Sequence, residues 1–119
     1  MDDSPFQPLA PERIIAESEL AIAFRDAFPV SKGHTLVVPR RVVSDFYDLS
    51  PEEQAGVWRL VAEVRAMLAK EFDPDGFNIG LNDGEAAGQT IPHAHIHVIP
   101  RYRGDRSDPR GGIRWVVPE

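Results

Sequence analysis

The chain has 119 residues, a net charge of −6 and no cysteine, so we expect a single domain over residues 1–119 without disulfides or a thiolate metal site. Its acidic balance argues against binding to nucleic acid or to an anionic membrane surface. No apolar run is long enough to span a membrane, and the first five residues lack the features of a signal peptide, which predicts a cytoplasmic protein.

The N-terminal third of the chain predicts three strands. Residues 13–16 and 20–24 are mainly apolar and are separated by three polar residues that suit a tight turn, which predicts a hairpin. Residues 34–38 predict a third strand that stops at Pro39. Because side chains alternate along a strand, His34 is expected on the same face as two apolar residues of this strand.

A long helix is predicted to begin at Pro51. Ser50 can cap it, Pro51 suits the first helical position, and Glu53 completes a capping box. Apolar residues recur at helical spacing through residues 57–68, so one face is expected to pack on a sheet. The helix must end before Pro74, because the residue that precedes a proline avoids the helical region.

Two further strands and a tail follow the helix. Residues 76–82 predict a fourth strand, and residues 91–99 predict a fifth that stops at Pro100. Residues 113–117 predict an extended arm. A hairpin, then a helix, then a strand pair indicate an α+β fold, with an antiparallel sheet of about five strands and one main helix.

Three of the four histidines lie in one short segment. On a strand His93, His95 and His97 would project from one face, about 6.5–7 Å apart at each step, while the apolar residues between them face the core. Imidazole titrates near pH 6.5, so near neutrality it can serve as nucleophile, base or acid. The pattern therefore predicts a functional site built from imidazoles.

Three interpretations of this face compete: a solvated face, a metal site, and nucleophilic catalysis. The clustering of imidazoles makes a merely solvated face the weakest of the three. A zinc site could take His34 as a fourth nitrogen ligand, but the chain has no cysteine and no acidic residue lies on the same strand. In the third interpretation one imidazole is the nucleophile and its neighbours donate hydrogen bonds to a bound anion.

The loop before the histidine segment favours nucleophilic catalysis at a phosphate. Gly84 and Gly88 permit a positive φ and a close approach of the backbone to a ligand. Asn82, Gln89 and Thr90 supply donors without net charge, and backbone N–H groups in such a loop can surround an anion. The alternative is an ordinary connection between strands that happens to contain glycine. The loop ends only three residues before the histidine segment, which favours the phosphate site over this alternative.

The segment His-Ala-His-Ile-His-Val-Ile at residues 93–99 resembles the signature of the histidine triad (HIT) superfamily, in which histidine and apolar residues alternate. Residues 82–84, 87–90 and 29–39 resemble the family as well, and the resemblance runs from residue 5 to the end of the chain. The tail sequences Arg-Tyr-Arg-Gly-Asp and Gly-Gly-Ile-Arg-Trp are most similar to bacterial HIT hydrolases of the fragile-histidine-triad, or diadenosine polyphosphate hydrolase, branch.

The resemblance implies a nucleotide hydrolase that acts at the α-phosphorus, with His95 as the nucleophile. Attack by its imidazole would expel a nucleotide, pyrophosphate or an amine, and water would then release a nucleoside monophosphate from a nucleotidyl-histidine intermediate. His97 is expected to donate a hydrogen bond to a phosphoryl oxygen. His93 is expected to orient the other two histidines and to be coupled to His34.

The resemblance also assigns binding residues position by position. Asp26 stands where the family binds the ribose hydroxyls, and a carboxylate can accept hydrogen bonds from both of them. Phe6 and Ile15 are candidates for the base pocket, although each is also an ordinary core residue. The residues that match the phosphate side of the family are Asn82, Gly88, Gln89, Thr90 and Ile91.

One stretch departs from the family. Many bacterial relatives carry Cys-Pro-Phe-Cys near the N-terminus, often as part of a structural zinc site, where this chain has Ser4-Pro5-Phe6-Gln7. Serine and glutamine are poor zinc ligands, so we expect no metal there, and the anchor of the N-terminus is not evident from the sequence. We expect no required cofactor, although a divalent cation can accompany the substrate phosphates.

The expected substrates are dinucleoside polyphosphates such as diadenosine tetraphosphate. Four arginines beyond the triad, at positions 101, 103, 106 and 110, either meet the far phosphates or are paired and solvated, and we favour the second. Nucleoside phosphoramidates, cleaved at the P–N bond by the same nucleophile, are the first alternative. A nucleotide-binding module with little turnover and a metal-dependent hydrolase are the others. By resemblance, two chains join their sheets in a homodimer, to which helices and tails contribute.

Overall fold

The computed structural model describes residues 4–7 and 9–117, so parts of the domain expected over residues 1–119 lie outside the described residues. It contains one long helix, α1, and five strands that form one antiparallel sheet in the order β1-β2-β3-β5-β4. The bounds are β1 Ile14–Glu17, β2 Ala21–Arg25, β3 Thr35–Pro39, α1 Pro51–Phe72, β4 Gly76–Gly80 and β5 Ile96–Arg101. The predicted α+β fold is confirmed.

Two apolar layers lie on opposite faces of the sheet. Helix α1 covers one face with the predicted stripe, in which residues such as Leu60 and Val64 pack against Ala23 and Val98. The other face carries a smaller cluster of buried side chains contributed by Phe6, Ile22, Phe24, Leu36 and Val38. Strand alternation therefore separates a helix side from a second face, and the histidines lie on the second face.

The start of α1 follows the predicted capping box. The Ser50 hydroxyl accepts a hydrogen bond from the Glu53 N–H at 3.1 Å, and the Glu53 carboxylate accepts one from the Ser50 N–H at 2.9 Å. The helix ends at Phe72, after which Asp73 adopts a left-handed conformation with φ of 47°. These two ends hold the 22-residue helix in register over the sheet.

The predicted fifth strand begins later and ends later than expected. β5 begins at Ile96 rather than at residue 91, because the Ala94 N–H donates to the Val43 carbonyl at 2.7 Å instead of joining the sheet. It continues through Pro100, which pairs with Phe77 of β4. Pro100 lies beyond the last pair between β3 and β5, Thr35 opposite Val98, so no residue of β3 needs its missing N–H.

The fourth strand and the tail also differ from the prediction. β4 ends at Gly80, two residues earlier than predicted, where its pairing with β5 stops. The tail forms a short 3-10 helix, Gly112–Val116, instead of an extended arm. Its turn is held by the Trp115 indole N–H, which donates to the Arg110 carbonyl at 2.6 Å. Among the described residues, no helix is both long enough and apolar enough to cross a membrane.

Gly33 offers a test of the connection that places His34. Its φ is +92°, and an added Cβ would lie 2.9 Å from the ring of Phe72, whereas Gly104 has a φ of +84° with open space around it. We expect Gly33→Ala to lower the free energy of unfolding by about 1 kcal/mol more than Gly104→Ala, because both variants carry the backbone strain and only one carries the clash. Urea unfolding of the two variants measures the difference, and equal losses would contradict the close packing.

Candidate active site

The three histidines of the segment meet on the face of the sheet opposite α1. Their alternating neighbours, including Ala94 and Ile96, are buried in the helix-side core. The ring centroids of His95 and His97 are 5.1 Å apart. His93 is fully buried, whereas the other two rings are half-buried and accessible to a ligand. The alternation that the sequence predicted holds, although His93 and His95 precede the strand itself.

The protonation of His95 follows from one hydrogen bond. Its Nδ1 lies 2.9 Å from the backbone carbonyl of His93. A carbonyl oxygen only accepts, so Nδ1 carries the proton and donates it, and Nε2 is left with a free lone pair. The neutral ring is therefore held in the tautomer that a nucleophile requires.

The protonation of His97 is fixed by a second chain of hydrogen bonds. The Val30 N–H donates to Nδ1 of His34 at 3.1 Å, so the neutral His34 ring carries its proton on Nε2. That Nε2 lies 2.9 Å from Nδ1 of His97 and donates to it. The proton of His97 consequently lies on Nε2, where it is available to an anion. His34 is thus coupled to His97, and the expectation that it is coupled to His93 is wrong.

Burial lowers the pKa of His34, His93 and His97. Removal from water, with the nearby charges of His95 and His34, lowers the pKa of His97 to about 4. Burial also lowers the pKa of His34, against the opposing effect of the Asp26 carboxylate. The pKa of His93 is lowered by burial as well. The hydrogen bonds that His34, His93 and His97 accept require uncharged rings, because a protonated ring has no nitrogen left that can accept.

His93 is held at both ring nitrogens. Its Nε2 lies 2.8 Å from the Pro39 carbonyl, to which it donates, and its Nδ1 lies 2.7 Å from the Ser4 hydroxyl. The Phe6 ring packs against both His93 and His95, at centroid distances of 5.5 and 5.3 Å. The N-terminal segment that departs from the family is therefore anchored on the histidine cluster by a hydrogen bond and an aromatic contact.

Asp26 lies beside His34 and His97, at the end of β2. One of its carboxylate oxygens accepts from the Phe28 N–H at 2.9 Å, and the other lies 3.4 Å from Nε2 of His34. One ligand atom from each of Asp26, His34 and His97 lies within 4.8 Å of the others, so this group has the size of a metal site. The two ring nitrogens already share a proton at 2.9 Å, and a metal ion would have to displace it.

The predicted phosphate-side loop is braced from within. The Asn82 amide donates to the Ala87 carbonyl at 2.7 Å, and the Gln89 amide donates to the Ser44 carbonyl at 2.8 Å and to the Ile91 carbonyl at 3.1 Å. Gly88, like Gly84 across the turn, has a positive φ, at 95°. Thr90 is exposed, and Ile91 packs against the cluster around Phe6. Side-chain amides that sequence reasoning treated as free donors therefore shape the loop, a role that no sequence signal indicated.

The base-pocket candidates lie on different faces. Phe6 packs on Phe24 with ring centroids 5.2 Å apart, on the histidine side of the sheet. Ile15, the other candidate, packs instead against the helix-side core, as an ordinary core residue does. The reason is an irregularity in β1 between Ile14 and Ala16, which puts Ile14 directly opposite Phe24. Ile14 is therefore the apolar residue of β1 that lies opposite a member of the histidine-side cluster.

The arginines of the tail are largely paired, in line with the interpretation that we favoured. Arg101 binds both oxygens of Asp105 at 2.7 Å, and these hydrogen bonds hold the pKa of that carboxyl at about 2. Arg110 pairs with Asp108 at 3.0 Å. A cavity of about 670 Å³ lies between β5 and the tail, with Arg101 and Arg106 in its wall.

Comparisons with known proteins agree with this arrangement. Residues 7–104 match the profile of the HIT domain. The chain is 38% identical over 96 residues to the asymmetrical bis(5'-nucleosyl)-tetraphosphatase of Schizosaccharomyces pombe, covering 81% of this chain and 53% of that protein. It is 38% identical to the bis(5'-adenosyl)-triphosphatase of Dictyostelium discoideum, covering 77% of this chain and 62% of that protein. This chain therefore spans between half and two thirds of these relatives.

A solved structure supports the same likeness. The crystal structure of a HIT family protein from Bacillus anthracis superposes with a TM-score of 0.73 at 41% identity, over 77% of this chain and 65% of that one. At this level of identity and overlap, the sequence and the fold point to the same family.

The lowered pKa values predict a loss of stability in acid. An unfolded histidine binds a proton near pH 6.5, whereas His97 in the folded protein does so only at about 4. Between these values the unfolded state binds more protons, so the free energy of unfolding falls as the pH is lowered, by about 2 kcal/mol at pH 4.5. Denaturant unfolding at several pH values measures this, and His97→Gln should flatten the curve. A level curve in the unmodified protein would contradict neutral rings in the folded state.

Proposed function

Because the chain belongs to the HIT family, we propose that it is a nucleotide hydrolase that cleaves dinucleoside polyphosphates at the α-phosphorus through a covalent intermediate on His95. The observation that carries this proposal is the hydrogen bond from His95 Nδ1 to the His93 carbonyl, which leaves Nε2 as a free nucleophile. The names of two relatives, a bis(5'-nucleosyl)-tetraphosphatase and a bis(5'-adenosyl)-triphosphatase, support the substrate class.

The proposed reaction has two displacements at one phosphorus. In the first, the Nε2 lone pair of His95 forms a bond to the α-phosphorus, and the bond from phosphorus to the leaving phosphate oxygen breaks with its electron pair. The ring keeps its proton on Nδ1 and becomes positively charged, and the His93 carbonyl stabilises that charge. In the second, water attacks the phosphorus and gives up one proton to the solvent. The N–P bond breaks with its electron pair returning to Nε2, so the nucleoside monophosphate leaves and the neutral ring is restored.

His97 is proposed to stabilise the charge on the phosphoryl group. Its Nε2–H, fixed by the chain from Val30 through His34, can donate to a non-bridging oxygen of the α-phosphate. The lowered pKa of His97 keeps it a neutral donor over a wide pH range. The donor does not have to be recruited during the reaction, because its direction is set in the free protein.

The remaining proposed contacts follow the position of each residue. Asp26 retains lone pairs on both carboxylate oxygens and is proposed to accept from the ribose hydroxyls. Phe6 and Ile14 are proposed to line the base pocket. The phosphate-side contacts are proposed for the loop residues Asn82, Gly88, Gln89, Thr90 and Ile91.

The proposal requires no cofactor, and a divalent cation would act only by neutralising the substrate phosphates. A homodimer that joins two sheets, with contributions from helices and tails, remains part of the proposal. The side chains of Trp58 and Met67 on α1 support it, because they are 42% and 41% exposed in the single chain.

A substrate panel tests the proposed activity and bond type. Diadenosine tetraphosphate and an adenosine phosphoramidate are incubated with the protein, with and without a chelator, and products are identified by mass. Release of AMP from the tetraphosphate supports the proposal. Cleavage of the phosphoramidate alone would favour the P–N alternative, and binding without turnover would indicate a nucleotide-binding module. Loss of activity on both substrates with the chelator would indicate a metal-dependent hydrolase, whereas slowing on the tetraphosphate alone is the expected effect of removing the cation from its phosphates.

His95→Ala should lower kcat by at least about a thousandfold, because it removes the group that forms the covalent bond. The fold and most of the AMP affinity should remain, since the His95 ring is half-buried and makes one hydrogen bond to the backbone. Circular dichroism and calorimetric AMP titration provide the controls. A folded variant with the rate of the unmodified protein would reject His95 as the nucleophile.

Asp26→Ala should weaken the binding of AMP by about tenfold and that of 2′,3′-dideoxy-AMP by much less, because a lost charge-assisted hydrogen bond matters only where the hydroxyls exist. The dideoxy ligand controls for indirect effects through Phe28 and His34. Calorimetry with both ligands on both proteins gives the comparison. Equal weakening of the two ligands would remove the ribose role.

A further inference from the structure

We propose that Ser4 is a positioning residue for His95, acting through the side chain and the backbone carbonyl of His93. This inference rests on the proposed function only in taking His95 as the reactive group. Ser4 lies in the segment that departs from the family pattern, 89 positions before His93. Its hydroxyl is the side-chain group from this segment that hydrogen-bonds to a histidine of the cluster.

The direction of each hydrogen bond that links Ser4, His93 and Pro39 can be assigned. The Pro39 carbonyl can only accept, so His93 carries its proton on Nε2 and presents Nδ1 as an acceptor. The Ser4 hydroxyl must therefore donate to Nδ1, at 2.7 Å. The same oxygen accepts from the Phe6 N–H at 3.0 Å, which leaves the hydroxyl proton free to point at the ring. A continuous path thus runs from Ser4 to His95.

The His93 carbonyl needs this support because it lies outside the sheet. β5 begins three residues later, so no ladder bond holds that carbonyl. Its peptide plane is held by the Ala94 N–H, which donates to Val43, and by the ring of His93 clamped between Ser4 and Pro39. The direction of the carbonyl in turn sets the direction of the His95 ring. Loosening the clamp therefore changes the aim of the Nε2 lone pair.

Two other contacts attach the N-terminal segment, so its attachment does not depend on the hydrogen bond between Ser4 and His93. The Gln7 amide donates to the Arg40 carbonyl at 2.6 Å. Phe6 is 6% exposed and packs against Phe24. Removal of the Ser4 hydroxyl leaves both contacts in place and deprives a fully buried ring of its only partner at Nδ1 among the described residues. The Phe6 N–H loses its acceptor as well, but the packing of Phe6 and the Gln7 hydrogen bond still attach the segment, so the larger consequence falls on the buried His93 ring.

The experiment compares Ser4→Ala with Gln7→Ala, which weakens the same segment without touching a histidine, and with Ser4→Thr, which keeps the hydroxyl. We expect Ser4→Ala to lower kcat by roughly tenfold to a hundredfold with little change in KM, as loss of a supporting hydrogen bond does. Gln7→Ala should keep kcat within about twofold, and Ser4→Thr should restore most of it. A kcat unchanged in Ser4→Ala, or equally lowered in Gln7→Ala, would overturn the inference.

A second readout does not depend on turnover. Long-range ¹H–¹⁵N spectra of the histidine rings report which nitrogen carries the proton and how rigidly it is held. In the unmodified protein we expect His93 protonated on Nε2 and His95 on Nδ1, with slow exchange of both ring protons. In Ser4→Ala the Pro39 and His93 carbonyls still select these tautomers, so we expect faster exchange of both ring protons instead of a change of tautomer. Ring-proton exchange as slow in Ser4→Ala as in the unmodified protein, at both rings, would overturn the link. If the unmodified protein hydrolyses no nucleotide, the proposed function fails, and these spectra still decide whether Ser4 controls His95.

Discussion

The hydrogen bond between His95 Nδ1 and the His93 carbonyl is the interaction on which the site depends. A carbonyl cannot donate, so this contact decides which nitrogen of a neutral His95 ring carries the proton and which keeps a lone pair before any ligand arrives. The same logic, applied to the Val30 N–H and His34, decides that His97 presents a proton rather than a lone pair. The His93 carbonyl leaves His95 with a lone pair on Nε2, whereas the Val30 N–H, acting through His34, leaves His97 with a proton on Nε2. Two neighbouring imidazoles therefore present opposite groups.

The fold supplies the conditions under which these chains hold. Pairing of β3 with β5 sets Leu36 opposite His97 and brings the end of the preceding loop, with His34, against that ring. Burial then disfavours protonation, so the rings stay neutral and each can accept one hydrogen bond and donate another. The helix side of the sheet contributes by keeping the apolar residues between the histidines in a closed core, which fixes the face on which the rings emerge.

Local patterns in the sequence predicted those features that local physics determines. The capping box at Ser50 and the alternation of the histidine segment depend on a few adjacent residues, and both occur in the structure. The errors arose where distant groups compete with the local pattern. β5 begins later than predicted because the Ala94 N–H donates to the Val43 carbonyl. Ile15 packs on the helix side because of an irregularity in β1 that a local pattern does not report. The coupling of His34 to His97 depends on strand pairing that no local motif reports.

The central claim is that Nε2 of His95 becomes covalently linked to a nucleotide during turnover. It is tested most directly by mixing the protein with diadenosine tetraphosphate, stopping the reaction within milliseconds in denaturing alkali, where phosphohistidine survives, and mapping the adduct by mass spectrometry. We expect an added nucleotidyl mass on the peptide that contains the triad, localised to His95. Turnover that leaves no adduct at any stopping time, or an adduct on another residue, would contradict it.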